Sequence, residues 1–167
     1  DTGIQPNHPN AAREANDLFF KKIESKHQEL KKRGIENPEI EIREIWETTL
    51  TQLEEKAAVE DEFPPAKIEQ LAVNFECRVN PVWPMPHAGV ILSFLKNAGI
   101  TLGIISNAQF YTPLLFPAFF SSSYEELGFS EDYCFFSYQY GIAKPSEFLF
   151  EQAFQSLNRD IPDLKPE

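Results

Sequence analysis

The stretch GITLGIISNAQF, residues 99–110, decides the fold class of this sequence. Its segment ITLGII is aliphatic and β-branched without polar alternation, and this pattern predicts a short strand that is buried on both faces. Such strands belong to parallel sheets that helices cover on both sides. The apolar run stops at Ser106 and Asn107, so the predicted strand ends in two small polar residues.

The flanking sequence predicts further helices and one more strand. A helix precedes the first strand and ends at Gly99, and its apolar positions are Val90, Ile91, Phe94, Leu95 and Ala98. Pro113 opens another helix, and YCFFSY, residues 133–138, predicts a second buried strand. A last helix runs over residues 146–157. Its expected N-cap is Ser146, and its expected inward residues are Phe150, Ala153, Phe154 and Leu157. This order is typical of an α/β domain with a Rossmann-like parallel sheet.

Residues 1–80 have a different character, because they are rich in charged side chains and predict three amphipathic helices. The first helix ends at Gly34, the second follows Pro38, and the third begins after FPPA, residues 63–66. Their apolar positions are Ala15, Leu18, Phe19, Ile23 and Leu30, then Ile42, Ile45, Trp46, Leu50, Leu53 and Ala57, then Ile68, Leu71, Ala72 and Phe75. We expect an antiparallel bundle. The proline-rich NPVWPMP, residues 80–86, separates this helical part, residues 1–80, from an α/β part, residues 81–167.

The composition limits the class of partner. The formal net charge is −11 and the pI is near 4.8, so the basic surface that nucleic acids and anionic membranes require is missing. The sequence has no apolar run of the ~20 residues that a membrane span needs, and its first residues lack a signal-peptide pattern. The spacing of Cys77 and Cys134 indicates neither a zinc site nor a disulfide framework, and we expect two free, mostly buried thiols. These features favour a soluble cytoplasmic protein, with the oligomeric state open.

The candidate site combines the ends of the two predicted strands. YGIAKPSEFLF, residues 140–150, places Lys144 just after the second strand, as Ser106 and Asn107 end the first. Ligands of open α/β sheets bind outside the carboxyl ends of the strands. A hydroxyl, an amide and an ammonium there can bind a phosphoryl or carboxylate group. Two other readings remain, in which Ser106 and Asn107 cap the next helix and Lys144 is a solvated lysine.

Two segments resemble the haloacid dehalogenase-like (HAD) hydrolase superfamily, most of whose members are phosphohydrolases. PMPHAGVILSFLKNAGITLGIISN, residues 84–107, is similar to the helix and strand that end in its second motif, a serine or threonine. FFSYQYGIAKPSEFLFEQAF, residues 135–154, is similar to its third motif, a lysine in a G-x-x-K-P setting before a helix. The resemblance implies that residues 1–80 form a helical cap inserted into the α/β core.

The resemblance also implies roles for the three residues. Ser106 would donate a hydrogen bond to the transferring phosphoryl oxygen, Asn107 would orient the substrate, and Lys144 would stabilise the negative charge of nucleophile and phosphoryl group. The implied reaction is Mg²⁺-dependent hydrolysis of a small phosphorylated metabolite through an aspartyl-phosphate. A 2-haloacid dehalogenase-type hydrolase and a non-catalytic partner-binding module remain alternatives.

Two motifs of the superfamily do not occur in the sequence. The first motif, D-x-D-x-T, carries the nucleophilic aspartate and a metal ligand, and no such string is present. The fourth motif is an acidic pair after an apolar strand, for which Asp160 and Asp163 in the polar tail are poor substitutes. We therefore interpret the chain as an internal piece with an incomplete core. The nucleophile and the Mg²⁺ ligands are expected outside it, and this chain alone is expected to be inactive.

Overall fold

The computed structural model describes residues 9–55 and 63–161 and divides into two compact units. The helical unit comprises Asp1–Ile35 and Ile40–Val82, and the α/β unit comprises Glu36–Glu39 and Trp83–Glu167. The segment Glu36–Glu39 therefore belongs to the α/β unit although it connects two helices of the helical unit. The mixed α/β class predicted from the sequence is confirmed at this coarse level.

The helical unit contains α1 (Ala11–Lys32), α2 (Ile42–Glu55) and α3 (Pro65–Val79), which are the three predicted helices. Helix α2 packs against both neighbours because its apolar positions recur at helical spacing. The ring of Phe19 stacks on that of Trp46 with centroids 4.1 Å apart, and the Phe75 ring lies 5.1 Å from both. This aromatic cluster joins all three helices. Ala57, assigned to the second helix, lies outside the described residues.

The α/β unit contains α4 (Ala88–Asn97), β1 (Leu102–Ser106), a 3-10 turn (Thr112–Leu114), α5 (Leu115–Phe120), β2 (Phe129–Phe136), α6 (Ser137–Tyr140) and α7 (Phe148–Asp160). Strands β1 and β2 pair in parallel, with Ser106 opposite Phe136, and they form a two-stranded sheet within the described residues. Because parallel strands run in the same direction, their carboxyl ends meet at one edge. The residues that follow both strands are therefore brought together.

The two faces of β2 contact different apolar clusters, because successive side chains of a strand point to opposite sides. Cys134 and Phe136 lie in a cluster with Ala108, against which Tyr124 packs. Phe135 lies on the other face in a cluster with Leu149 of α7. Burial of Tyr124 against the first of these clusters is the main reason that the pKa of its hydroxyl is raised to about 12. The apolar end of β2, residues 133–136, fits two covered faces, whereas Glu131 and Asp132 earlier in the strand are exposed.

Helix α4 ends as its sequence predicts. Gly99 has a φ of 72°, a conformation that glycine adopts without the steric cost of a Cβ atom. The Gly99 amide donates to the Lys96 carbonyl and the Ile100 amide donates to the Leu95 carbonyl, which is the Schellman arrangement. This turn ends the helix and leads the chain into β1. The predicted stop at Gly99 is confirmed.

Two details of the predicted helices are wrong. Phe150 was expected to face inward but is 50% exposed, whereas Leu149 beside it is 0% exposed. The apolar face of α7 is thus rotated by one residue and is defined by Leu149 and Ala153, four positions apart. The N-cap position is occupied by Glu147, while the Ser146 hydroxyl accepts a bond from the Phe148 amide at 3.3 Å.

The apolar side chains that predict α4 are largely exposed. Val90, Ile91 and Phe94 retain 70%, 53% and 69% of their surface, and no residue of this helix is buried. The pattern therefore identifies the helix correctly without identifying a packed face. Across the described ranges, no helix combines the length and the apolar character needed to cross a membrane.

Gly103 in β1 provides a stability test near the site. A Cβ atom at this position would lie 2.6 Å from the Tyr133 carbonyl oxygen, where the strand pairing is irregular. Replacing Gly103 with alanine is expected to destabilise the chain by about 1–3 kcal/mol, because the crowding atom belongs to the backbone. Urea denaturation measures this change. Gly89→Ala is the control, since its new Cβ would make only ordinary contact with Phe120. Equal stability of the two variants would contradict the close approach.

Candidate functional site

The candidate site lies at the carboxyl edge of the parallel strand pair. Ser106 is the last residue of β1, and Ser137 directly follows the end of β2. The Ala108 amide donates to the Ser137 hydroxyl at 2.8 Å, which joins the chain leaving β1 to the chain leaving β2. The sequence pattern thus places its polar residues at the edge where ligands of α/β sheets bind.

Asn107 and Lys144 are brought together by two reciprocal hydrogen bonds. The Lys144 amide donates to Asn107 Oδ1 at 2.6 Å, and Asn107 Nδ2 donates to the Lys144 carbonyl at 3.1 Å. A side-chain amide can do this because it carries both an acceptor and donors. Both bonds involve backbone atoms of Lys144, and neither involves its side chain. Asn107 therefore fixes the loop that carries the lysine.

The Lys144 ammonium also lies at the end of β1. Its Nζ donates to the Ile105 carbonyl at 2.9 Å, one residue before Ser106, and the side chain is half-buried. An ammonium carries three N–H donors, and this bond uses one of them. The positive charge is thus held against the strand end by a neutral carbonyl. Such an arrangement can receive an anionic oxygen.

The Ser106 hydroxyl adds a third polar group to this edge. Its Oγ donates to the Asn107 carbonyl at 3.2 Å, and the side chain is half-buried. A hydroxyl rotates readily and has both donor and acceptor capacity, so it can turn toward a ligand. The structure therefore brings all three predicted site residues to one edge of the sheet.

Three further polar residues of this edge were not identified from the sequence. Glu39 Oε2 accepts from the Ser137 hydroxyl at 2.6 Å, and Glu39 Oε1 accepts from Gln109 Nε2 at 3.0 Å. Ser137 is fully buried. A polar residue just after a buried strand is the signal used for Ser106, and it could also have identified Ser137. Nothing comparable identifies Glu39, which is 98 positions away from Ser137 along the chain.

The other ionisable residues considered from the sequence are Asp160, Asp163 and the two cysteines. Asp160 accepts a hydrogen bond from the Tyr133 hydroxyl at 2.5 Å. Cys134 is buried, and burial raises the pKa of its thiol, which disfavours the reactive thiolate. Both cysteines are free, as expected, but the prediction that both are buried is wrong because Cys77 is exposed on α3. Asp163 lies outside the described residues.

The described residues offer no metal centre at this edge. Among residues 9–55 and 63–161, no three histidine, cysteine, aspartate or glutamate side chains are grouped so that they could hold a metal ion. Glu39 is the carboxylate beside the strand ends, and its oxygens accept from Ser137 and Gln109. The polar groups of Ser106, Asn107 and Lys144 can bind an anion through neutral donors and one ammonium.

Comparison with known proteins gives no relative from which a function could be transferred. No protein family model matches the chain, and no curated protein or solved structure matches it significantly.

Proposed function

We propose that the α/β unit binds the phosphoryl group of a small phosphorylated substrate, as part of a HAD-like phosphohydrolase. The observation that carries the proposal is the pair of bonds by which Asn107 holds the backbone of Lys144. Because these bonds involve only backbone atoms of Lys144, they position its ammonium group without pairing its charge. Pre-positioned donors and charges are what phosphoryl transfer requires most from a protein.

The residues act in this proposal as follows. Lys144 neutralises a phosphoryl oxygen, and the Ser106 hydroxyl turns from the Asn107 carbonyl to donate to a second oxygen. The second N–H of the Asn107 amide orients the substrate. A cytoplasmic location is consistent with such a substrate.

The proposed fold is a larger Rossmann-like sheet of which β1 and β2 are two strands, with the helical unit as its cap. The exposed apolar residues of α4 support this, since Val90, Ile91 and Phe94 would be covered in a larger core. The nucleophilic aspartate would be carried by a strand outside residues 1–167. Mg²⁺ would be bound by carboxylates there, so the roles assigned to the present residues concern the anion alone.

The proposal is tested by titrating the 167-residue chain with inorganic phosphate and recording ¹⁵N NMR spectra. We expect saturable shifts of the Lys144 and Asn107 backbone amides and of the Asn107 side-chain amide. The same titration with 2-chloropropionate probes the dehalogenase alternative. Tighter binding of this haloacid than of phosphate would replace the proposal with that alternative. Absence of saturable shifts with either anion would overturn the anion site and favour a partner-binding module.

A second assay addresses catalysis, and it uses a longer form of the protein that carries the proposed nucleophilic aspartate. We expect hydrolysis of p-nitrophenyl phosphate that depends on added Mg²⁺ and stops with EDTA. Upstream sequence without an apolar strand that ends in a D-x-x-G-T-like motif would contradict the hydrolase assignment. Chloride release from 2-chloropropionate without phosphate hydrolysis would contradict the phosphatase assignment.

A further inference from the structure

The carboxylate of Glu39 connects the ends of both strands. One oxygen accepts from Ser137, which directly follows β2, and the other accepts from Gln109, which lies three residues beyond the end of β1. Ser137 also accepts the Ala108 amide, so its hydroxyl links Glu39 to the chain that follows Asn107. Hydrogen bonds to an ionised carboxylate are roughly twice as strong as neutral ones. This side chain therefore ties together the two segments that carry the site.

The backbone around Glu39 holds the loop that precedes Lys144. The Glu39 amide donates to the Gly141 carbonyl at 3.0 Å, and the Ala143 amide donates to the Asn37 carbonyl at 2.8 Å. Pro38 and Ile142 form an antiparallel bridge between these bonds. The loop is thus fixed by residues 37–39 just before Lys144 and by Asn107 at Lys144 itself.

We propose that Glu39 is a positioning residue of the anion site formed by Ser106, Asn107 and Lys144. The inference rests on the proposed function, since it concerns where Lys144 is held relative to a bound phosphoryl group. Glu39 acts through Ser137, Gln109 and the loop, without touching the anion. Both carboxylate oxygens act as acceptors here, whereas an amide side chain offers only one acceptor atom.

The direction of the change in phosphate affinity distinguishes a positioning role of Glu39 from a simple effect of its charge. A carboxylate near an anion site repels the anion, so removing only its charge would strengthen phosphate binding. Loss of the positioning role of Glu39 would weaken phosphate binding. For Glu39→Gln in the 167-residue chain we therefore expect weaker binding of inorganic phosphate, on the order of tenfold, as for groups that orient binding residues elsewhere.

The variant Glu36→Gln is the matched control, because it makes the same charge change at an exposed position of the same segment. We expect its phosphate affinity to equal that of the parent chain. A double variant, Glu39→Gln with Gln109→Glu, exchanges the carboxylate and the amide and can restore the bond between the two positions. It should recover most of the lost affinity. Equal losses in the single and double variants would contradict the proposed link.

NMR spectra without phosphate separate this inference from the proposed function. Glu39→Gln should shift the Lys144 amide and the Asn107 side-chain amide signals, whereas Glu36→Gln should leave them unchanged. If the parent chain fails to bind phosphate, the proposed function is wrong, and these signals still report whether Glu39 positions the loop. If the parent binds phosphate and Glu39→Gln shows unchanged signals with equal or tighter binding, the positioning role is wrong.

Discussion

Replacing Lys144 with alanine is expected to weaken phosphate binding by the 167-residue chain by about tenfold or more, because hydrogen bonds to charged groups contribute roughly 1.5–3 kcal/mol. For the proposed phosphohydrolase we expect phosphate ester hydrolysis to fall about hundredfold or more, as for loss of a transition-state donor. The bonds from Asn107 go to backbone atoms of Lys144 and are retained in the variant. The substitution therefore removes the charge while the loop keeps its anchors.

Lys96 supplies the matched control for this experiment. It is a lysine of the same α/β unit, and its Nζ donates to the Glu126 carbonyl, outside the candidate site. Lys96→Ala changes the net charge by the same amount and should leave phosphate affinity unchanged. Isothermal titration calorimetry measures both variants. Hydrolysis or binding that survives Lys144→Ala, or that falls equally in Lys96→Ala, would remove the proposed role of Lys144.

Replacing Leu149 with alanine is expected to destabilise the protein by about 2–5 kcal/mol, the range for a large-to-small change in a core. Leu149 is 0% exposed and lies in a cluster with Phe135 and Ala153, against which Ile105 of β1 packs. The cavity would open directly beneath the strand that carries Ser106. For a chain of this size the melting temperature should fall by roughly 5–15 °C.

Phe150 is the control for this prediction because it is adjacent on α7 and half-exposed. Phe150→Ala should destabilise the protein by less than about 1 kcal/mol, since surface substitutions have small effects. Chemical denaturation followed by circular dichroism measures both. The assignment of the α7 face would be wrong if Phe150→Ala were the more destabilising of the two.

Local patterns were sufficient to predict most of the secondary structure. The apolar run before Ser106 correctly predicts a strand, and Gly99 correctly predicts the end of the helix before it, because both depend on neighbouring residues. The predicted full burial of this strand is wrong, since Gly103 is exposed and the other residues of β1 are half-buried. The parallel pairing of β1 with β2 fits the same pattern, since strands that are apolar on both faces are typical of parallel sheets. The proximity of Asn107 and Lys144 then follows from the topology.

The position of Glu39, the buried face of α7 and the exposure of α4 depend on tertiary contacts, which local sequence patterns do not encode. Glu39 lies between two amphipathic helices, and only the tertiary structure brings it to the strand ends, 98 positions from Ser137. The predicted buried face of α7 is wrong at Phe150, because FLFEQAF offers several apolar residues and helical spacing alone does not choose between Leu149 and Phe150. Periodicity likewise shows that Val90 and Phe94 share a helix, without showing that either is covered.

The membership of Glu36–Glu39 in the α/β unit has a practical consequence for dissecting this protein. The unit is discontinuous in sequence, so a single proteolytic cut or truncation near residue 83 cannot release it whole. A fragment beginning there would lack the acceptor at Asn37 and the carboxylate of Glu39. Studies of the isolated unit would need the 36–39 peptide supplied separately, in the manner of fragment complementation.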